Sequence, residues 1–257
     1  MMKKGCFYIL FSLLALHACN NTDHNECVFQ PDLKQTIELD IERLEVSLLK
    51  TANRDSLRQF LKDNPIITNY FLQRASYPND SVMMQVLLNK YSSPHIDTLL
   101  MEVDRVFGDL SELNQELNQA FSHLRHFYPN ARLPKIQTVA TGLDYDLYVS
   151  DSLIVIGLDY YLGKGAKYRP VNMYQYILKR YAPEYIVPSI MLLYGISPEY
   201  NQTSLRDKSV LADMISYGKS FYFTKQMMPC KADSVIIWYT QKEITGSRNN
   251  IDIIWTH

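Results

Sequence analysis

The chain of 257 residues is long enough to bury one sizeable hydrophobic core. Its 26 basic and 27 acidic residues give a formal net charge of −1, which excludes the strongly basic surface of a nucleic-acid-binding protein. The 19 tyrosines and 9 glycines indicate many amphipathic aromatic surfaces, which suit core edges and partner surfaces equally.

The amino terminus has the pattern of a secretory signal peptide. Lys3 and Lys4 precede an apolar run over residues 5–16, which is shorter than the roughly 20 residues needed to span a bilayer. The run ends in residues 16–19, which read LHAC and resemble the lipobox of bacterial lipoproteins. The alternative is an ordinary signal peptide that ends near a cysteine.

The lipobox resemblance implies that residues 1–18 are removed and that Cys19 is acylated, with palmitate as a typical chain. Several chains on one cysteine meet the requirement that stable anchoring takes more than one chain. Residues 19–30 then form the acylated cysteine and its tether, and residues 31–257 form a single domain. Asn20 is not the Asp that favours inner-membrane retention, so we expect an outer-membrane lipoprotein that faces the periplasm.

Two cysteines remain after the lipobox, Cys27 and Cys230. An oxidising envelope would permit a disulfide between them. Two free or buried thiols are an equal alternative, because sequence does not show whether the two residues meet. Both alternatives stay open here.

The first half of the chain predicts a series of short helices without an internal repeat. Residues 33–50 predict either a helix or a strand followed by a helix. Further helices are expected over residues 51–61, 65–74, 82–87, 94–107 and 112–128. Their candidate caps are Asn53 or Asp55, Asp80, and Asp109 or Ser111. The last of these helices is expected to bury Leu113, Leu117, Phe121 and Leu124.

The pattern changes to alternation after Pro134. Three segments predict strands: residues 136–140, 145–149 and 152–157. We expect them to be antiparallel neighbours with the last strand central. The chain is therefore predicted to have an α+β fold, with a helix-rich first half, a small antiparallel or mixed sheet over about residues 135–157, and core helices after it.

The second half is expected to be organised around a mostly apolar helix over residues 183–195. Pro183 suits its first turn, and Pro188 is expected to kink it. A second helix from residue 204 or 207 to about 228 is expected to pack closely at Gly218. Its predicted inward side chains are Leu211, Met214, Ile215 and Tyr222. Two short segments flank these helices, a helix over residues 172–180 and a strand-like run over residues 235–238.

Metal-dependent hydrolysis has no clear ligand set in this sequence. His123 and His126 are one helical turn apart and could share a metal, but Arg125 and Phe127 beside them are not ligands. Two solvated or capping histidines are the better interpretation. The His-Glu-x-x-His, Gly-x-Ser-x-Gly, phosphate-loop and dinucleotide fingerprints are absent from the sequence.

Four carboxylates lie at the ends of the predicted strands: Asp144, Asp146, Asp151 and Asp159. A carboxylate after a central strand could belong to a catalytic site, but Asp is also common at turns and strand ends. We therefore prefer the interpretation that these four carboxylates are ordinary turn and strand-end residues rather than a catalytic site. Asp213 on the last long helix is expected to pair with Arg180 or Lys219 rather than to act in catalysis.

Three blocks carry a resemblance to a known family: residues 153–163 (LIVIGLDYYLG), 181–188 (YAPEYIVP) and 211–219 (LADMISYGK). Together with the lipobox they resemble the GldB gliding-motility lipoproteins of Bacteroidota. The resemblance implies an envelope lipoprotein associated with gliding and, through gliding, with type IX secretion.

The order of sheet, helix and facing second helix is also similar to zincin metalloproteases. In the gluzincin-like members the first helix carries His-Glu-x-x-His and the second carries a Glu ligand. Residues 187–192 read VPSIML here, and Tyr217 stands at the position of that Glu. Without imidazole or carboxylate at these positions, zinc would have no protein ligands there and no bound water to activate.

These features predict a protein that is not an enzyme and has no catalytic residue, metal or cofactor. We expect a structural or interaction component of the gliding and secretion machinery, with other envelope proteins as partners. Two alternatives remain: an envelope hydrolase that uses a carboxylate site, and a solute-binding lipoprotein. The family resemblance implies a chain that continues well beyond the position of Trp255, so we expect that this one is truncated, frame-shifted or a short variant.

Overall fold

The computed structural model describes residues 27, 32–33, 35–51, 53–171, 173–203 and 207–256. The predicted signal peptide, Cys19 and most of the predicted tether lie outside these residues. The predicted α+β fold is confirmed, because helices surround one small mixed sheet. A continuous cluster of buried apolar side chains extends from Ile37 to Met228.

Residues 35–40 form an extended strap along one helix of the domain. The backbone N–H of Ile37 donates to Ser122 Oγ at 2.8 Å, and that of Leu39 donates to Asn118 Oδ1 at 2.8 Å. Both apolar side chains of the strap are buried, so hydrogen bonds and burial hold it together.

The strap leads into a strand and a helix, which confirms the strand-then-helix alternative for this segment: β1 (Ile41–Arg43) and α1 (Glu45–Leu49). Four longer helices follow: α2 (Arg54–Asp63), α3 (Asp80–Tyr91), α4 (Pro94–Phe107) and α5 (Ser111–Phe127). A π-helical turn (Ile67–Phe71) and a 3₁₀ turn (Arg74–Ser76) lie between α2 and α3.

Side-chain caps fix the starts of several of these helices. Asn53 caps α2 and accepts hydrogen bonds from two backbone N–H groups, as one of the two predicted alternatives. Asn79 caps α3, so the prediction of Asp80 is wrong by one residue. The N-cap of α5 is Leu110, which makes no side-chain cap hydrogen bond, so the predicted cap at Asp109 or Ser111 is wrong. Asp109 Oδ1 nevertheless accepts from the Ser111 N–H at 2.9 Å ahead of the helix. The predicted buried side of α5 is confirmed: Leu113, Leu117, Phe121 and Leu124.

The sheet contains β1 and three further strands in the order β1-β2-β4-β3: β2 (Lys135–Val139), β3 (Leu147–Val149) and β4 (Leu153–Gly157). β4 pairs antiparallel with β3 through the turn that begins at Ser150. It pairs parallel with β2, as β1 also does. β4 therefore has neighbours on both sides, as predicted.

The predicted antiparallel pairing of all three strands is wrong for β2 and β4. A two-residue alternation shows that a segment is a strand but carries no information about the direction of its neighbour. Here β3 lies at the edge, and the chain returns to place β4 between β3 and β2. The side chains of β4 are buried on both faces from Ile154 to Ile156, as is usual where helices cover a sheet.

The second half contains six helices, of which α7 packs against β3: α6 (Gln175–Leu178), α7 (Ile186–Ile196), α8 (Val210–Met227), α9 (Asp233–Ile236), α10 (Gln241–Asn249) and α11 (Ile251–Thr256). A 3₁₀ turn (Pro183–Tyr185) precedes α7. Pro188 is thus the third residue of α7, where a backbone N–H lacks an intrahelical partner, so it removes no hydrogen bond from the helix.

The strand predicted over residues 235–238 is wrong, because this segment includes the end of α9. The backbone N–H of Ile236 donates to the Ala232 carbonyl at 3.2 Å, which closes a helical turn. Short apolar runs fit a strand or a buried helical turn equally well, and only their tertiary neighbours decide between the two.

α8 packs against α7 through its small and polar side chains. Ser220 Oγ donates to the Leu192 carbonyl at 2.6 Å. A Cβ atom built on Gly195 would lie 2.8 Å from Ser220 Oγ and 3.0 Å from both the Ser220 Cα and a Phe223 ring carbon. Asn201 completes the contact by donating to the carbonyls of Gly195 and Ser216 at 3.2 and 3.0 Å. The two helices approach closely because Gly195 has no side chain.

Gly195→Ala should therefore destabilise the protein by about 1–2 kcal/mol, since the added methyl group forces α7 and α8 apart. Gly218→Ala is the matched control on α8, where a Cβ would meet no atom within 4 Å. This control should stabilise the protein by about 0.5–1 kcal/mol through its higher helix propensity. Urea unfolding of the three proteins measures both values, and equal effects of the two substitutions would contradict the packing.

Candidate functional site

The solvent-exposed side of α8 carries large apolar side chains. Six of them are between 44% and 76% exposed: Val210, Leu211, Met214, Ile215, Tyr217 and Tyr222. Helical periodicity places these six residues on one side, opposite the buried Ala212, Ser216 and Ser220. We call the surface formed by the six residues the α8 face. Exposed apolar surface of this kind is typical of interaction sites.

The predicted inward orientation of Leu211, Met214, Ile215 and Tyr222 is wrong. Packing selects the side of α8 that can approach α7, where Ser220 and the ring edge of Phe223 lie against Gly195. The predicted close packing at Gly218 is also wrong, since that residue is exposed. The spacing of Ala212, Ser216 and Ser220 at every fourth position is the sequence signal that identifies the buried side.

The sequence resemblance to zincins assigns the metal-binding helix to the segment that forms α7. Val187, Pro188 and Met191 are buried, and Ser189 is half-buried. Tyr217 belongs to the α8 face and is 51% exposed, so it does not share a site with these residues. Within the described residues, no group of three or more His, Cys, Asp or Glu side chains is placed to hold a metal ion.

Asp159 follows β4 and is fully buried. Its Oδ2 atom accepts three backbone N–H groups of one loop, from Thr141 at 3.1 Å, Gly142 at 2.8 Å and Leu143 at 2.7 Å. Positive φ angles at Gly142 and Leu143 turn the loop so that consecutive N–H groups converge. Burial raises the pKa of Asp159 to about 6, against the opposing effect of these hydrogen bonds.

Two more of the predicted carboxylates lie near the same loop but have other partners. Asp144 forms an ion pair with Lys90 Nζ at 2.7 Å, and burial raises the pKa of the carboxyl despite this cation. Asp146 Oδ2 accepts a hydrogen bond from the Tyr181 hydroxyl at 3.0 Å. These contacts tie the loop to α3 and to the segment before α7. No local sequence pattern identifies Lys90 or Tyr181 as a partner of these carboxylates.

The remaining carboxylates lie apart from this loop. Asp151 pairs with Arg132 at 3.0 Å in an exposed ion pair. Asp213 is exposed, and its predicted pairing is not formed, because Arg180 lies over the Trp238 ring at 4.5 Å. The other predicted partner, Lys219, instead donates from its Nζ to Thr203 Oγ1 at 2.8 Å.

The chemistry available to the carboxylates follows from this geometry. A pKa of about 6 would suit proton transfer near neutral pH. A general base must also come within hydrogen-bonding distance of a substrate proton. Asp159 is wholly enclosed, and its second oxygen, Oδ1, is buried without a described hydrogen-bond partner. In this conformation the Asp159 carboxylate stabilises the loop at residues 141–143 by hydrogen bonds and does not face a cleft.

His123 and His126 have different environments. His123 is 5% exposed, and its Nδ1 lies 2.8 Å from the Met227 carbonyl, so this nitrogen carries the proton. Burial lowers the pKa of His123. His126 is exposed. The prediction of two solvated or capping histidines is therefore wrong for His123, which is buried because the end of α5 packs against the end of α8.

A cavity of about 340 Å³ lies beside His123, in the size range of small-molecule sites. Glu116 and Lys231, which form an ion pair, line part of it. Burial raises the pKa of Glu116 against the effect of the lysine. Met227 and Leu33 add apolar lining.

Cys27 and Cys230 form a disulfide across a sequence separation of 203 residues. The structure thus decides between the two alternatives that the sequence leaves open. The bond fixes the amino-terminal segment beside the cavity and next to the end of α8. Cys19, the predicted lipidation site, lies outside the described residues.

Comparison with known proteins gives one finding. The family model described as gliding motility protein GldB matches residues 26–257 of the chain. None of the curated proteins and none of the solved structures matches it. Across the part of the chain that the structure describes, no helix has both the length and the apolar character needed to cross a membrane.

Asp159→Asn tests the buried carboxylate. The pKa of Asp159 is raised from an ordinary value near 3.8 to about 6 in the folded protein, so its protonation favours folding. This contribution is complete below about pH 4 and is lost as the pH rises through about 6. Asn cannot ionise, so the variant should gain about 2–3 kcal/mol relative to wild type between pH 4 and pH 7.5.

Urea unfolding across this pH range measures the difference. Asp159→Ala provides the comparison, because it leaves three loop N–H groups without an acceptor and should cost about 3 kcal/mol or more at pH 4.5. Wild-type and Asn profiles that run parallel over the range would contradict the raised pKa.

Proposed function

The chain belongs to the GldB family of gliding motility proteins, and from this premise we propose that it is a non-catalytic interaction or structural component of the envelope machinery for gliding and type IX secretion. The proposal includes acylation at Cys19 after removal of residues 1–18, and a position on the outer membrane facing the periplasm. The lipobox at residues 16–19 and the residue that follows Cys19 support this address.

The α8 face is the observation that carries the proposed interaction role. Its apolar residues extend from Val210 to Tyr222 on one side of a helix whose other side is already packed. Leaving such a surface in water forgoes the stabilisation that burial would bring. The partner suited to it is an envelope protein with a complementary apolar surface, such as an amphipathic helix that lies along α8.

Three observations support a non-catalytic role. The α7 segment that compares with a zincin helix carries no side chain suited to zinc. Asp159 is enclosed, and Asp144 and Asp146 are each engaged by a different partner. A zincin-like ancestry without its metal site would account for helices that face each other at this position. Purified protein that carries stoichiometric zinc and shows chelator-sensitive hydrolysis would overturn the proposal.

A solute-binding role is the second candidate, and the cavity beside His123 favours it. A bound solute would stabilise the folded protein, and its unfolding temperature would rise with the logarithm of the solute concentration above Kd. A hydrolase that uses Asp144, Asp146 and Asp159 would instead lose its activity on single alanine substitutions that leave the fold intact. Thermal unfolding with candidate solutes, and activity assays of these variants, separate the three roles.

Cys19→Ala should abolish labelling of the protein by a clickable fatty acid in cells. Cys6→Ala is the matched control, since this cysteine lies within the predicted signal peptide and is absent from the mature chain. Persistent labelling of the Cys19→Ala protein would refute the assignment.

Leu211→Ser combined with Ile215→Ser should weaken the partner contact with little effect on the fold, because both residues are exposed. A photoreactive amino acid at Met214 should form an adduct with a component of the gliding or secretion machinery in intact envelopes. The double substitution should reduce the yield of that adduct about tenfold or more, which corresponds to roughly 1.4 kcal/mol or more of binding energy.

Asp213→Ser is the matched control for the α8 face. It changes an exposed residue of the same helix to the same side chain, outside the α8 face. It should leave the adduct unchanged, as identified by mass spectrometry. Equal loss of the adduct in control and double variant, or adducts only with unrelated abundant proteins, would contradict the proposed contact.

A further inference from the structure

The disulfide Cys27–Cys230 joins the predicted membrane tether to the folded domain far earlier in the chain than the strap does. Cys27 follows the predicted acylated Cys19 by eight positions. The strap makes its first described backbone hydrogen bond at Ile37, ten positions further along. Cys230 is therefore the first residue of the folded domain, counted along the chain from the lipid anchor, to which the tether is attached.

The geometry points to Cys230 as the membrane-facing pole of the domain. We propose that the disulfide clamps the domain to the bilayer through an eight-residue tether, so that the surface around Cys230 faces the lipid headgroups. The proposal rests on the acylation of Cys19, which is part of the proposed function above.

Chain length limits how far this pole can stand from the membrane. A fully extended chain spans at most about 3.3–3.6 Å per residue, so eight positions reach about 28 Å. The disulfide itself adds little, since the Cα atoms of Cys27 and Cys230 are 4.1 Å apart.

The size of the domain then restricts its orientation. A domain of about 225 residues has a radius of gyration near 17 Å, and therefore a diameter of roughly 45 Å. A tether that had to pass around the domain to reach a pole on the far side would need more than about 45 Å, which exceeds its reach of about 28 Å. With the disulfide closed, Cys230 cannot face away from the bilayer.

Without the disulfide, this restriction disappears. The tether would then extend from Cys19 to Ile37, and its maximum span would be about 60 Å. That span exceeds the diameter of the domain, so most orientations become accessible. The disulfide therefore restricts the orientation of the domain as well as its distance from the bilayer.

The chemistry around Cys230 suits a headgroup-facing surface. Cys230 is exposed, and its neighbour Lys231 pairs with Glu116. Lys225 pairs with Asp233 nearby at 3.1 Å. These ion pairs make the pole polar, so it can lie against a hydrated interface without inserting into the hydrocarbon.

This orientation also places the α8 face. α8 ends at Met227, three positions before Cys230, and a helix rises about 1.5 Å per residue. Tyr222 therefore lies about 8 Å along the axis from the end of α8, while Leu211 lies about 24 Å from it. The tether holds the Tyr222 end of the α8 face nearest to the attachment point.

A protease site inserted between Gln30 and Pro31 of the full-length protein tests the clamp in isolated membranes. Cleavage there should leave the domain on the membrane, because Cys27–Cys230 still joins the two pieces. Reductant added after cleavage should release nearly all of the domain, while reductant without cleavage should release none. The double variant Cys27→Ser, Cys230→Ser should be released by cleavage alone.

The matched control carries the same protease site between Asn20 and Asn21. Cleavage at this position should release the domain with or without reductant, since it cuts before the disulfide. Release of the Gln30–Pro31 variant by cleavage alone would overturn the clamp. Fatty-acid labelling of each sample distinguishes the two proposals: unlabelled protein overturns the acylation of Cys19 and the clamp together, whereas labelled protein released without reductant overturns only the clamp.

A photoreactive phospholipid tests the orientation. In the wild-type protein, adducts should concentrate in the peptide around Cys230 and in the tether, and in the double cysteine variant they should spread over the domain surface. Circular dichroism verifies that the double variant is folded. Identical adduct maps for the two folded proteins, or wild-type adducts that avoid the peptide around Cys230, would overturn the membrane-facing pole.

Discussion

The close contact between α7 and α8 depends on Gly195, because any side chain at this position would overlap Ser220 and Phe223. The small residues of α8 fit against Gly195, and the serine hydroxyl binds a carbonyl of α7. α7 is apolar on nearly all sides and is enclosed by the sheet, α5 and α8. The position of α8 over the core therefore follows from one site of close backbone approach.

The same contact decides what α8 presents to solvent. A helix has only one side to bury against α7, and close approach selects the small side rather than the most apolar side. The larger apolar residues are left on the α8 face. Because the apolar residues of the α8 face stay in water, the isolated protein lacks the hydrophobic stabilisation that their burial would bring. A partner that covered the α8 face would supply it on binding. The packing of the core and the proposed interaction surface are two consequences of the same geometry.

The buried carboxylates hold one loop in place. Asp159 accepts hydrogen bonds from loop N–H groups that have no partner in the sheet. Asp144 and Asp146 connect the same loop to neighbouring elements. Unpaired buried N–H groups are costly, so a carboxylate after the central strand stabilises the loop even though burial raises its pKa. The disulfide similarly fixes Cys27 to Cys230, which follows the end of α8.

Much of this protein could be predicted from local pattern. The signal-like amino terminus and lipobox are linear motifs, and the family follows from blocks of sequence that the comparison with GldB supports. The helix over residues 94–107, the apolar stripe of α5 and the existence of three of the strands depend on periodicity, which is a property of the chain itself. The absence of zinc ligands from α7 is likewise visible in residues 187–192.

Other features depend on residues that are distant in sequence and could be decided only by the tertiary structure. Alternation in β2 and β4 does not encode whether the strands run parallel, and the apolar stripe of α8 does not show which side will meet Gly195. Neither the partners of Asp159 nor the pairing of Cys27 with Cys230 has a local signature. Periodicity reports how one segment would bury its own side chains, whereas close packing and pairing depend on what the rest of the chain brings to the same place.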